Sequence, residues 1–271
     1  MHKVKNQGSA AAAEAVADGK ICYQSYVDPV EQSSYIDCLK EYLDAVAGPG
    51  FSYEVIGISP PDRELHRLTE WRGATQAIRN AVEAEKQGYD AFIQGHFQDP
   101  GLYELRSAVE IPVLSLGEAS MLFACTLGRK IALVTIDPYF IPMHEEQVAR
   151  YGLGERVVAI KAIRVGVADF HRAFTDQAVS GEILRQFQEQ SQPLADSGIE
   201  VIIPAGGLPT LLFARLKNFA IGKAVVLNGI AVTVKMTEMA VTLRRLNGTG
   251  ASRASTFAGP SAAALREFLE S

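Results

Sequence analysis

His96 is the residue of this chain best placed to move a proton. It follows the apolar run Asp90-Ala-Phe-Ile-Gln-Gly95 and opens a polar, turn-rich mouth with Gln98, Asp99 and Pro100-Gly101. Imidazole changes charge near neutral pH, so His96 can serve as a general base or acid. A histidine at such a point can equally be a hydrogen-bonded strand end. A second stretch answers the first: Glu200-Val-Ile-Ile-Pro-Ala205-Gly206-Gly207-Leu208 is another apolar run that ends in glycines. Ahead of a helix, Gly206-Gly207 can aim backbone N–H groups at a carboxylate or enolate oxygen, or can simply form a tight turn. Gln24 and Ser25 close an earlier run, Thr135 closes a later one, and each offers hydrogen-bonding groups. Asp137 reads either as a second acid or base facing His96 or as a helix cap, and Glu118 as a helix-start residue. Asp99 reads as a turn residue.

These positions need strands that end together. Lys20 to Ser25 reads as a first strand, and Ser33 or Ser34 caps a helix from about Tyr35 to Val46 with Ile36, Leu39, Leu43 and Val46 on one face. Phe51 to Ile58 reads as a strand, Ser59 to Asp62 as a loop, and Thr69 to Gln87 as a helix closed by Gly88. The run at Ala91 follows, then a short helix Leu102 to Ala108, a strand Ile111 to Leu116 and a helix from Gly117 to Leu127. Lys130-Ile131 then repeats Lys20-Ile21, Asp137-Pro138 echoes Asp28-Pro29, and Gly198 to Ile203 echoes Gly88 to Ile93, all at offsets of about 110 residues. The pattern predicts an α/β protein of two pseudo-symmetric domains, each a four-stranded parallel sheet flanked by helices. Ligands of such sheets sit beyond the carboxyl ends of the strands, where His96 and Ala205 fall. Residues 1–19 read as an N-terminal extension, 20–120 as the first domain and 121–229 as its repeat. Residues 230–271 read as helices that pack back on the first domain, joined by a flexible linker from Thr249 to Gly259.

Composition narrows the function. The chain has 271 residues, 48% hydrophobic and 21% charged, with a net charge of −5 and no lysine or arginine stripe, which argues against a nucleic-acid partner. No apolar run reaches the roughly 20 residues needed to cross a membrane, and residues 1–19 lack a signal-peptide core, so a cytoplasmic protein is expected. Cys22, Cys38 and Cys125 have neither disulfide nor zinc-motif spacing. His2, His66, His144 and His171 show no metal-ligand spacing, and His144-Glu145-Glu146 reads as a solvated helix face. Gly152-Leu-Gly154 lacks the third glycine of a dinucleotide fingerprint. No metal and no cofactor is inferred.

Gly95-His-Phe-Gln-Asp-Pro-Gly-Leu102, Leu116-Gly-Glu-Ala119, Val134-Thr135 and Ala205-Gly-Gly-Leu208 together resemble the aspartate/glutamate/hydantoin racemase superfamily, over about Lys20 to Leu246. The Phe-x-Asp-Pro-Gly-Leu and Gly-Glu-Ala pieces look most like the hydantoin and allantoin racemase branch. Ala205-Gly-Gly-Leu-x-Thr-Leu looks more like arylmalonate decarboxylases, and the superfamily also holds maleate isomerases. The resemblance implies two cysteines, one per domain, on opposite sides of a carbon next to a carbonyl. Here the first of those positions is His96, and the second is Ala205, or Gly206 if the register slips by one. It further implies substrate-binding roles for Gln24, Ser25, Phe97, Gln98, Gly117, Glu118, Thr135, Ala205, Gly206 and Gly207, with His96 and Asp137 as catalytic candidates. Asp137 stands where the decarboxylase branch looks to have a tyrosine. A homo-oligomer acting on a small carboxylate, imide or cyclic ureide is the implied setting.

The leading expectation is a cofactor-independent isomerase or lyase. With His96 as its one usable base, a one-sided proton transfer, decarboxylation or elimination is easier to support than racemisation. The alternatives are a hydrolase of a small cyclic substrate and a non-catalytic relative that binds a small anion.

Overall fold

The computed structural model describes residues 19–60 and 64–271. Most of the expected N-terminal extension and most of Pro60–Asp62 in the expected loop lie outside the described residues.

The first half runs β1 (Gly19–Gln24), α1 (Ser33–Val46), β2 (Phe51–Ile56), α2 (Arg67–Lys86), β3 (Ala91–Gln94), α3 (Leu102–Ala108), β4 (Val113–Ser115) and α4 (Leu116–Leu127). Its four strands are all parallel, in the order β2-β1-β3-β4. Alternation along the strands splits the side chains between two cores. Ile21, Tyr23, Ala91 and Ile93 face the large core shared with the second half, whereas Cys22 and Phe92 face α2 and α3 on the other side. Both faces are covered, so β1 and β3 read as near-continuous apolar runs.

The second half contains β5 (Ile131–Thr135), a 3-10 turn (Pro138–Phe140), α5 (Ile141–Arg150), β6 (Val157–Ala162), α6 (Val167–Arg172), α7 (Gln177–Asp196), β7 (Val201–Ala205), α8 (Gly207–Phe213), β8 (Ala220–Ile221) and β9 (Ala224–Val226). Four parallel strands in the order β6-β5-β7-β9 match the expectation, but the sheet has a fifth member. β8 pairs antiparallel with β9 through Ala220–Val225 and Ile221–Ala224. Two residues carry no readable periodicity, which is why the sequence pattern missed this strand.

α9 (Gly229–Asn247) lies along α4 and reaches β3, β4, α1 and α8. A Cβ on Gly229 would come within 2.2 Å of Ser120 Oγ, so the α4–α9 approach requires glycine there. α10 (Ala262–Glu270) places Leu265, Phe268 and Leu269 against the α2–α3 side of the first sheet. The stretch before it was expected to be flexible, yet Arg253 ties it down. The guanidinium donates to the carbonyls of Arg106 and Phe257 at 2.7 and 2.8 Å, and to that of Val109. No helix among the described residues is long and apolar enough to cross a membrane.

Candidate active site

The carboxyl ends of β1, β3, β5 and β7 converge on a cavity of about 100 Å³ between the two halves. Of the residues named from the sequence, Ser25, His96, Gln98, Ala205, Gly206 and Gly207 line it. Further segments complete the wall: the N-cap Gln32 and Tyr35 at the start of α1 after β1, Thr69 and Glu70 at the start of α2 after β2, and Val167 and His171 from the short α6 after β6.

His96 is held on two sides. Its Nε2 lies 2.8 Å from Glu70 Oε2, and its ring stacks on Tyr26 with centroids 4.4 Å apart. Histidine and carboxylate are both largely buried, with side chains 22% and 14% exposed. With the carboxylate accepting from Nε2–H, the basic lone pair of the neutral imidazole falls on Nδ1. The same carboxylate stabilises the imidazolium once His96 takes up a proton. Glu70 opens α2 behind the N-cap His66, whose Nδ1 accepts from Leu68 N at 3.1 Å, and this cap sets where the helix starts.

Gly207 brings the halves together opposite His96. A Cβ there would lie 3.2 Å from both Gly95 O and Tyr35 Oη, so a bare backbone is what fits. The Gly206 N–H turns back to Pro204 O at 3.1 Å and is therefore not offered to a ligand as expected. Gly207 and Leu208 stand in the first turn of α8, where no earlier helical carbonyl can take their N–H groups. Tyr35 is fully buried, hydrogen bonds to the Ser25 hydroxyl and has its phenol pushed far above the usual range by burial.

Several expected site residues are occupied elsewhere. Gln24 spends its amide on Ser25 O at 2.7 Å and Gly57 O at 3.1 Å, while its Oε1 accepts from Asn80 at 2.7 Å. Phe97 is fully buried in the shared core. Asp137, expected either to be catalytic or to cap a helix, caps the 3-10 turn: its Oδ1 accepts from Tyr139 N at 2.7 Å, and it is outside the lining. Glu118 pairs with Arg106, with Oε1 2.9 Å from Nη1 and a second bond from Nη2 to Oε2. Cys22 faces the second core, where burial pushes its thiol up to about 12, and neither Cys38 nor Cys125 borders the cavity.

Thr135, Gly117 and Asp99 belong to a buried chain behind the cavity. Asp99 was expected to be a plain turn residue, and His144 to lie on a solvated face; both are completely buried. Of His144-Glu145-Glu146, the two glutamates alone are exposed. Asp99 accepts from Gly117 N, Glu118 N, Gln147 Nε2 and Tyr151 Oη at 3.2, 2.8, 2.7 and 2.7 Å. Gln147 Nε2 also donates to Phe97 O at 2.6 Å, which fixes the amide orientation and leaves Oε1 as an acceptor. His144 must then donate from Nδ1 to Gln147 Oε1 at 3.0 Å and accept at Nε2 from Thr135 Oγ1 at 3.1 Å. Ala205 O, 3.2 Å from Thr135 Oγ1, is the competing acceptor for that one hydroxyl proton. The chain therefore ties the loop after β3, which carries His96, to the end of β5, where Thr135 stands beside Ala205 of β7. Burial pushes Asp99 up to about 6 against the pull of its hydrogen bonds, and pushes His144 down to about 4. Gly117 has no room for a side chain, since a Cβ would lie 2.1 Å from Phe97 O.

Among the described residues no three His, Cys, Asp or Glu side chains gather as a metal site. The arrangement can hold a small polar molecule against a carboxylate-paired histidine and a helix start.

Comparison with known proteins gives consistent matches. A family model described as Asp/Glu/Hydantoin racemase matches residues 32–237. A hydantoin racemase of Pseudomonas sp. (strain NS671) is 27% identical over 193 residues, which are 70% of this chain and 75% of that protein. One from Paenarthrobacter aurescens is 26% identical over 236 residues, 86% of this chain and 95% of its own. Among solved structures, an allantoin racemase from Klebsiella pneumoniae superposes with a TM-score of 0.74 at 23% identity, covering 90% of this chain and 94% of that one, a likeness of fold.

Proposed function

Because the chain belongs to the Asp/Glu/hydantoin racemase family, we propose that it is an isomerase-type enzyme that moves a proton at a carbon next to a carbonyl, with His96 standing in for the usual cysteine. The substrate class is a small acid, imide or cyclic ureide. Its relatives named as hydantoin and allantoin racemases favour the cyclic ureides within that class.

The observation that carries this reading is the His96–Glu70 pair at 2.8 Å beside a small cavity. A carboxylate that orients one ring nitrogen and steadies the imidazolium is what a general base needs. Removal of the proton leaves negative charge on the carbonyl oxygen. The N–H groups of Gly207 and Leu208 and the Ser25 hydroxyl are among the donors of the lining residues that can meet it.

The test is a thermal-shift screen of hydantoins, allantoin, cyclic imides and small dicarboxylates, with each hit followed by NMR in deuterium oxide. The expected result is exchange of a C–H for C–D well above the buffer rate in the native protein, reduced about 10²–10⁴-fold by His96→Ala, the range a general base contributes. Ligands that bind for days without exchange or conversion would instead favour a binding protein.

A further inference from the structure

The family's second proton-transfer position holds Ala205 or Gly206 here, neither of which can carry a proton. The cavity nevertheless has a second histidine in its wall. His171 sits on α6 in the second half, whereas His96 follows β3 in the first, and both residues line the same cavity.

His171 is not held in the manner of a structural histidine. Its Nδ1 is shielded from solvent and has no hydrogen-bond partner. Five buried polar side-chain atoms among the described residues lack partners, and two of them, His171 Nδ1 and Gln32 Oε1, belong to residues lining this one cavity. A buried polar atom without a partner calls for an explanation, and a catalytic role for the residue that carries it is one. The ring is positioned by packing, edge-on to Tyr35 with centroids 6.4 Å apart, while Tyr35 Oη lies at the Gly207 crossing point.

We propose that His171 is the second proton-transfer residue of this enzyme, acting on the face of the substrate carbon opposite to His96. The inference rests on the proton-transfer reading given above. The two environments suit the two halves of such a reaction. Glu70 favours the protonated form of His96, and burial holds His171 on the neutral side of its ordinary value. Neutral His171 takes the proton from the carbon, and the electron pair of that bond moves to the carbonyl oxygen as an enolate. The His96 imidazolium then gives its proton to the other face as the pair returns to carbon. The product is the mirror-image centre, His171 leaves protonated and His96 neutral, and the other enantiomer runs the same steps in reverse. No further reactant is consumed.

The experiment offers the separate enantiomers of 5-methylhydantoin, allantoin and methylsuccinate to the native protein, His171→Asn and His96→Asn in deuterium oxide, following exchange by NMR and configuration by chiral chromatography. The expected native behaviour is racemisation with deuterium entering from both enantiomers. Each variant should lose racemisation by at least about 10²-fold. His171→Asn should still exchange one enantiomer with retention, and His96→Asn the opposite one. Retained one-sided exchange also shows that the variant is folded. Racemisation by His171→Asn at the native rate would overturn the assignment and leave His96 standing. So would loss of exchange from both enantiomers in that variant, or native exchange that never inverts configuration. A native protein that exchanges none of the probes would remove both this inference and the reading beneath it.

Discussion

Glu70 Oε2 lies 2.8 Å from His96 Nε2, joining the first turn of α2 to the end of β3. The pair sets which ring nitrogen carries the proton, and so which can act as a base. Glu70→Gln keeps the size of the side chain but removes the charge that steadies an imidazolium. Exchange or turnover should fall by about 10²-fold, the cost of a misplaced catalytic group, with a smaller change in KM. Steady-state kinetics beside a thermal melt separates this from loss of fold; unchanged kcat would dissociate Glu70 from the chemistry.

Asp99 and His144 titrate in opposite senses, and their effects on stability oppose each other. Asp99 rises to about 6 in the folded protein, above its unfolded value, so the fold binds the extra proton. Its contribution is fully present below about pH 4 and is lost as pH rises through 6. His144 falls to about 4, below its unfolded value, so its contribution is lost as pH drops from about 6.5 to 4. Each is on the order of 3 kcal/mol, and together they nearly cancel between pH 4 and 6. Asp99→Asn should therefore make stability climb with pH across that window, and His144→Gln should make it fall. Urea denaturation at pH 4, 5, 6 and 7 reads both slopes; parallel curves for the two variants would rule the opposition out.

Glu118 was expected near the substrate and instead pairs with Arg106, both side chains 15% exposed. Glu118→Gln should cost about 1.5–3 kcal/mol, the range for hydrogen bonds to charged groups, while leaving KM unchanged. A rise in KM without loss of stability would return Glu118 to the binding site.

Gly207→Ala adds one methyl between Gly95 O and Tyr35 Oη, each 3.2 Å from where the Cβ would lie. Gly95 O is backbone and cannot swing aside, so about 1–3 kcal/mol of stability should be lost through overpacking, with weaker ligand binding. Equal midpoints in urea for the two proteins would show that the halves part there without cost.

How much of this was legible in the sequence follows from periodicity. β3 and β7 showed as apolar runs because both faces are covered, and the turns after them marked His96 and Ala205-Gly207. The helix Leu102–Ala108 was placed to the residue. The rest of the cavity was missed because Gln32, Tyr35, Glu70 and His171 come from the first turns of helices or from a short one, where no strand rule names them. A signal existed, since a helix that follows a strand starts at the edge where the strand ends. The buried chain had one as well: Phe140, His144, Gln147, Val148 and Tyr151 fall at helical spacing on one face, hidden by the acidic Glu145-Glu146 between them. Gln24 and Thr135 were placed at the correct strand ends, but sequence does not say which partner a buried amide or hydroxyl will find.

Every proton in the line from Thr135 through His144 and Gln147 points toward Asp99. A replacement at one position strands its neighbours in the line, whereas a joint replacement by apolar residues removes the line and leaves only the flanking Gly117 N, Glu118 N, Tyr151 Oη and Phe97 O to be satisfied anew. Positions 99, 144 and 147 are thus bound to a shared history. Across relatives they should drift as a trio, so the composition of the trio would serve as a marker of descent even where the residues around the cavity have diverged.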